Sequence, residues 1–422
     1  MRRLCYPDTQ PRVLFERCRA TVDVNRRTYL AVLGAASLAG CVGGDSDGAT
    51  ATEAAGTGTP TGGDDGDRPR DSGVSLPVPD SELTRGAPKD AIPAITDPEF
   101  ATDWSDVEIE QQDPQTGEAR TLTLDLSPDD RVIGVERDGT ARAYPLRVLN
   151  WHEVVNDSLG GPLLVTFCPL CGSGTTAVRR VDGEESIFGV SGMLWRSDLV
   201  MYDEATDSRW SQIMATAIQG PMVGAELELV PSTMTTWGTW RESHPETAVL
   251  LPPPFSNTVE GESTRNYDVD PYSGYANTTR IGIGANSFDD DRLHPKTTVI
   301  GVRTGGEARA YPLPAVESTG VVNDTVGGTP VVVAVGPDDT LVAYERTVDG
   351  ETLTFRADDG RHLSAGGSRW EIATGRAVDG PHEGTTLAPA NDASPMFWFA
   401  WLDFNPETTV YGLDEVGTAD GQ

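Results

Sequence analysis

Most of the chain alternates short apolar runs with turn residues, a pattern that predicts strands more than helices. Val132–Glu136 and Ala141–Tyr144 flank Asp138-Gly139, and Thr175–Val181 and Glu184–Val190 flank Asp182-Gly183. Both dipeptides are tight hairpin signals. The apolar run Leu163–Phe167 suits a buried strand, and Leu199–Tyr202 and Leu227–Val230 read as further short strands. Two stretches carry helical spacing. One is Leu146–Val155, which would carry His152; the other is Thr235–Ser243, capped by Ser232 or Thr233 and closed before Pro245.

The pattern occurs twice. VIGVERDGTARAYPLRVLNWHEVVNDSLGG begins at Val132 and VIGVRTGGEARAYPLPAVESTGVVNDTVGG at Val299, a constant offset of 167. Ser208-Arg209-Trp210 matches Ser368-Arg369-Trp370, and Trp240 with Pro245-Glu246-Thr247 matches Trp401 with Pro406-Glu407-Thr408. The period is too long for a solenoid, so the expectation is a whole-domain duplication. The expected fold is α+β and β-rich, with short helices and two related lobes. The segments are residues 78–255 for the first copy, 256–292 for a connection and 293–422 for a degenerate second copy.

The first 41 residues read as an address. Arg26-Arg27 precede an apolar run from Tyr29 to Ala39, and Leu38-Ala39-Gly40-Cys41 follows. The run is too short to span a bilayer. The order fits a twin-arginine export signal ending in a lipoprotein cysteine, with Cys41 as the lipidated residue. Cys5 and Cys18 precede the signal and carry no expectation. Residues 42–77 are Gly, Asp, Thr, Ala and Ser with almost no large apolar side chain, the composition of a disordered tether. The expected location is the cell surface, with the membrane reached only through the lipid.

Charge narrows the partners. The chain has 65 Asp and Glu against 32 Lys and Arg, a formal charge of -33. Such a surface repels nucleic acid and anionic headgroups. Lysine occurs only at Lys89 and Lys296. Dense carboxylate with arginine in place of lysine matches a halophilic solvation pattern, in which salt screens the self-repulsion.

The candidate chemistry lies where the copies differ. Cys168-Pro169-Leu170-Cys171 follows the Leu163–Phe167 run and leads into Gly172-Ser173-Gly174. At the 167 offset Cys168 falls on Val335, Cys171 on Asp338, and Trp151-His152-Glu153 on Ser318-Thr319-Gly320. Scaffold residues persist and reactive ones do not, which groups His152, Cys168 and Cys171 as one site. Three readings stand open. In the first, the thiols cycle between dithiol and disulfide, Cys168 attacking, Cys171 resolving and His152 moving the proton, with an unidentified electron or thiol partner or small molecule. In the second, the same three residues hold copper or zinc, with Asp203, Met193 or His244 as a fourth ligand. In the third, the pair is a structural disulfide in a non-catalytic binding module. Trp195, Arg196, Tyr202 and Asp203, in a stretch that the second copy shortens, are candidates to line a cofactor pocket beside the sulfurs.

The run NWHEVVND, VTFCPLCGSG, FGVSGMLWRSDLVMYDEATDSRWSQ and TWGTWRESHPETAVL resembles the bacterial and archaeal family known as domain of unknown function 3179, here as a haloarchaeal-type lipoprotein. The resemblance is strong from about Val132 to Leu250 and weak in the second copy. It implies no established activity. It does imply that a motif cysteine position can carry selenocysteine in some members, which favours a reactive pair over a staple.

Overall fold

A computed structural model describes residues 74–413, apart from 106, 113–118, 262, 284–287 and 392. The twin-arginine segment, Cys41, Cys5, Cys18 and nearly all of the 42–77 stretch lie outside the described residues.

The expectation of an α+β fold in two lobes is overturned. The chain forms a six-bladed β-propeller, with six main sheets of three to five strands. Helix is limited, among the described residues, to short 3-10 turns and four seven-residue α-helices: Leu146–His152, Trp237–Ser243, Leu313–Thr319 and Trp398–Phe404. Two turns of helix connect strands but cannot form a layer of their own. The duplication persists as three sheets per copy. In the first copy these are built around Arg131–Arg137 with Thr140–Pro145, around Val154–Ser158 with Pro162–Cys168, and around Phe188–Trp195 with Asp198–Asp203. Their counterparts are Thr298–Thr304 with Glu307–Pro312, Val321–Val326 with Thr329–Val335, and Arg356–Ala357 with His362–Ala365.

Local sequence accounts for the hairpins. Asp138-Gly139 and Asp182-Gly183 have positive φ at both residues (52° and 74°, 52° and 82°), as do Gly305-Gly306 and Asp349-Gly350 in the second copy. This is the two-residue turn whose twist matches that of the strands it joins.

Residues shared by the copies do the same work in both. Arg142 and Tyr144 converge on Asp157, and Arg309 and Tyr311 on Asp324. The indole N–H of Trp240 donates to Thr247 Oγ1 (3.0 Å) and that of Trp401 to Thr408 Oγ1 (2.9 Å). Each indole lies on a glycine, Gly134 or Gly301, where a Cβ would come within 2.4 or 2.2 Å of the ring. Successive sheets are joined by an asparagine. Asn156 donates to the Phe188 carbonyl (2.8 Å) and accepts from the Phe188 N–H (2.7 Å); Asn323 does the same with Phe355 (2.8 Å each). Phe188 and Phe355 then meet Trp210 and Trp370 edge-on, each at 5.7 Å.

The copies are not separate lobes, because each borrows core from the other. One buried cluster joins Leu164, Cys171, Phe188 and Trp210 of the first copy to Val299, Met396, Trp398 and Trp401 of the second. Thr235 pairs with Thr340 (2.7 Å), and the Gly174 N–H donates to Ser394 Oγ (2.6 Å). Half a propeller would leave these faces in water.

Asn156 also donates to the Ile95 carbonyl (3.0 Å), so truncation strands several buried backbone groups at once. Asn156→Ala is expected to lower stability by about 2–4 kcal/mol, measured by denaturant unfolding in high salt. A loss below about 1 kcal/mol would show that the bridge between the sheets contributes little.

Candidate functional site

The Pro162–Cys168 strand is buried along its whole length and ends at Cys168. The chain then turns, with the Cys171 N–H bonded to the Cys168 carbonyl (3.1 Å), and Gly172 takes φ 64° to re-enter the sheet. The turn presents both thiols, free and buried, to the tip of the neighbouring hairpin. That tip is Arg196-Ser197, between Phe188–Trp195 and Asp198–Asp203, with φ 52° and 67°. Non-glycine residues rarely hold this conformation, and two in succession form a strained turn. The turn aims the Ser197 carbonyl at the sulfurs, where it accepts from Cys171 Sγ (3.2 Å) and Cys168 Sγ (3.7 Å).

Asp198 completes the group. The two Sγ atoms and a carboxylate oxygen of Asp198 all lie within 4.8 Å of one another. Asp198 is fully buried. Its Oδ2 accepts from Ser211 Oγ (2.6 Å) and the Ile213 N–H (3.3 Å). Its Oδ1 is buried with no hydrogen-bond partner. Burial pushes the carboxyl up to about 7, against hydrogen bonds from Ser211 and from the backbone of Ile213, Gln212 and Leu199. Burial also pushes the Cys171 thiol well up, reinforced by its hydrogen bond to Cys168 and by the nearby Asp198 and Asp403.

A ring of titratable groups surrounds these three. Glu153 is buried, and burial lifts its carboxyl to about 8, with a hydrogen bond from Tyr272 opposing and the charge of Asp198 adding. It holds φ 56° at the end of the Leu146–His152 helix, where the second copy has Gly320 at φ 86°. Lys296 is buried with its ammonium 3.5 Å from the Tyr275 ring centroid. Burial lowers it to about 8 and Arg280 lowers it further, while Cys171 acts in the other direction. Asp403 is lifted by burial to about 6.

Among the sequence candidates, Cys168 and Cys171 come together and His152 does not join them. Both of its ring nitrogens are engaged elsewhere, Nδ1 with the Pro93 carbonyl (2.7 Å) and Nε2 with the Tyr267 hydroxyl (2.8 Å). Burial lowers it to about 4, so it is neutral at pH 7. Its place is to anchor the connecting segment, whose Tyr267, Tyr272 and Tyr275 reach His152, Glu153 and Lys296 in turn.

The four pocket candidates disperse. Trp195 is buried, bonded to Glu82 (3.1 Å) and packed on Phe404. The Tyr202 hydroxyl donates to Asp90 (2.9 Å). Asp203 holds its own turn through Thr206 and Trp210. Arg196 bonds the Asp403 carbonyl and adjoins the sulfur site through Ser197, while Trp195 stands across the hairpin from Asp198. Of the fourth-ligand candidates, His244 pairs with Glu136 (3.1 Å), and Met193 sits half-buried against the Leu83 cluster.

Asp198 and Glu153 are the site residues that sequence reasoning did not assign. Glu153 falls on Gly320 at the 167 offset, a visible loss. Asp198 lies where the copies change register. Strand pairing sets Val200 opposite Ser211 and His362 opposite Glu371, which places Asp198 on Gly360. The offset taken from the Ser-Arg-Trp match points instead to Asp358, which makes the residue look retained.

A pH test follows from His152. Its folded value of about 4 lies below the ordinary 6.5, so the unfolded chain binds the extra proton and stability falls as pH drops through that window. The full effect is about 3 kcal/mol. Glu153 and Asp198, lifted in the fold, act in the opposite direction, so the comparison is between variants. Denaturant unfolding at pH 7 and pH 4.5 is expected to show a larger acid loss in the native chain than in His152→Gln. Equal losses would contradict a neutral buried His152.

No curated protein and no solved structure matches the chain. The family described as "Protein of unknown function (DUF3179)" matches residues 89–408, so the resemblance extends beyond the first copy and takes in the second. The blades that carry the cysteine turn and those that have lost it form one unit of descent, and the chain belongs to the DUF3179 family.

Proposed function

We propose that Cys168, Cys171 and Asp198 form a zinc site. The observation that carries this reading is a fully buried carboxylate with one oxygen unpartnered, set within 4.8 Å of two thiols. An unpaired buried acceptor is costly, by about 1–3 kcal/mol or more. A cation bound to that oxygen and both sulfurs would remove the cost. Zinc accepts thiolate and carboxylate together, whereas Cu(I) favours soft ligands alone, so Asp198 argues for zinc. Three protein ligands leave one position of a tetrahedral ion for water or another donor.

A redox pair is the second reading, favoured by the interaction of Lys296 with Cys171. Burial opposes it, since a raised thiol is a poor nucleophile at neutral pH. Export by the twin-arginine route and a lipid anchor at Cys41 belong to the same proposal. They rest on the leader sequence, and no described helix is long and apolar enough to cross a membrane.

The first measurement is elemental analysis beside thiol titration on protein purified in high salt without chelator or reductant. The expected result is about one zinc per chain, with thiols that react only after chelation. Asp198→Asn and Cys171→Ser are each expected to weaken zinc binding at least about tenfold. A metal-free protein with an oxidised pair would overturn the zinc reading in favour of the redox one. For the anchor, Cys41→Ser is expected to move the chain from the membrane fraction to the soluble one. Unchanged partition would remove the lipid from the proposal.

A further inference from the structure

The pseudo-symmetry of the copies creates two equivalent crevices, and only one is filled. The filled one, about 30 Å³, is floored by Gly301 and Trp401 and packed by Ile213, Met214 and Phe404. The other, about 360 Å³, is floored by Gly134 and Trp240 and walled by the Leu341–Tyr344 segment. Its size falls in the range of small-molecule sites.

The difference lies in particular residues. Strand register and the shared helix place Ile213, Met214 and Phe404 on Ala373, Thr374 and Ser243. Met214 lines the filled crevice where the smaller, polar Thr374 lines the open one, and the counterparts of Ile213 and Phe404 are likewise small. Charge also inverts: Arg303 lines the filled crevice, and its counterpart Glu136 lines the open one. Asn405 is exchanged for His244, which stacks on Trp240 at 3.8 Å and meets Glu136 at 3.1 Å. Asp138 adds a second carboxylate, and no lysine or arginine lines the open crevice among the described residues.

We propose that this crevice binds a small organic cation with a flat apolar body. The body would lie among Met234, Leu341 and Tyr344, and the ammonium at Glu136 and Asp138. Carboxylates at one end attract the ammonium by charge, and the apolar side chains at the other receive the flat body. An anion would meet repulsion at the same place. The site is distinct from the cysteine turn, so its success or failure does not depend on zinc.

The test uses three probes of one shape: benzylammonium, benzyl alcohol and benzoate. Binding is followed by saturation-transfer NMR and calorimetry on the full folded chain in high salt. The expected order has benzylammonium at least about tenfold tighter than benzoate. Thr374→Met with Ser243→Phe, which introduces the side chains of the filled crevice, is expected to weaken the cation at least about tenfold in a chain still folded by circular dichroism. Glu136→Arg, a change at a partly exposed position, is expected to abolish the preference for the cation. The proposal is overturned if the native chain and the filled variant bind benzylammonium alike, weakly or not at all included, or if benzoate binds as well as benzylammonium.

Discussion

The closed ring depends on how a loop in one half docks against the start of a helix in the other. The problem is posed twice and solved in two ways. In the second copy, Asp338 accepts from Thr236 Oγ1 (2.8 Å) and Thr239 Oγ1 (2.9 Å), so its side chain fastens the loop to the Trp237–Ser243 helix. In the first copy the equivalent residue is Cys171. There the fastening is done by the backbone, with the Phe397 N–H bonded to the Cys171 carbonyl (2.9 Å). Because main chain closes this joint, the Cys171 side chain is released from structural duty and turns to Ser197 and Cys168. One joint of the ring is a cap, and the other is free to hold chemistry.

Strain follows the same division. Glu153, Arg196 and Ser197 hold positive φ around the thiols, in a conformation that costs of order 1–3 kcal/mol for residues with a Cβ. At the Glu153 position the second copy uses Gly320, for which that backbone costs little. The fold therefore requires the bend but not the carboxylate. Glu153 is there in spite of its backbone, in contact with Tyr272 and in the field of Asp198. The surrounding packing must over-determine this geometry for it to persist.

Much of this was legible in the sequence and some was not. Hairpins at Asp138-Gly139 and Asp182-Gly183, the strand ending at Cys168 and both first-copy helices follow from local chemistry and are present. Six blades in place of two lobes were not legible, because alternation identifies a strand but not the sheet it joins. Thr233–Thr236 returns to pair with Arg131–Arg137 across about one hundred residues, and no local pattern records that step. Grouping His152 with the cysteines was sound as to what the second copy lost, and it failed on geometry. The helix directs His152 toward Pro93 and Tyr267, while Glu153, one residue on, lies beside the site. Loss from the second copy marked the neighbourhood, and only strand register could say which side chain entered it.

The composition of the chain makes Lys296 the more telling residue. A surface so rich in carboxylate and so poor in lysine leaves one lysine exposed, Lys89, and buries the other on the Tyr275 ring and the Arg280 carbonyl, within the field of Cys171. Salt screens exposed charges and leaves buried ones nearly untouched. Electrostatics at this site therefore operate even where the surface is screened. In the proposed zinc state, two thiolates and Asp198 carry three negative charges against two on the metal. The ammonium of Lys296, whose field reaches Cys171, would offset the remaining negative charge. The same lysine in the metal-free state faces no thiolate, and burial lowers it to about 8. Filling the site would thus draw protons off the sulfurs and hold the lysine charged, so that metal, thiols and ammonium titrate as one unit.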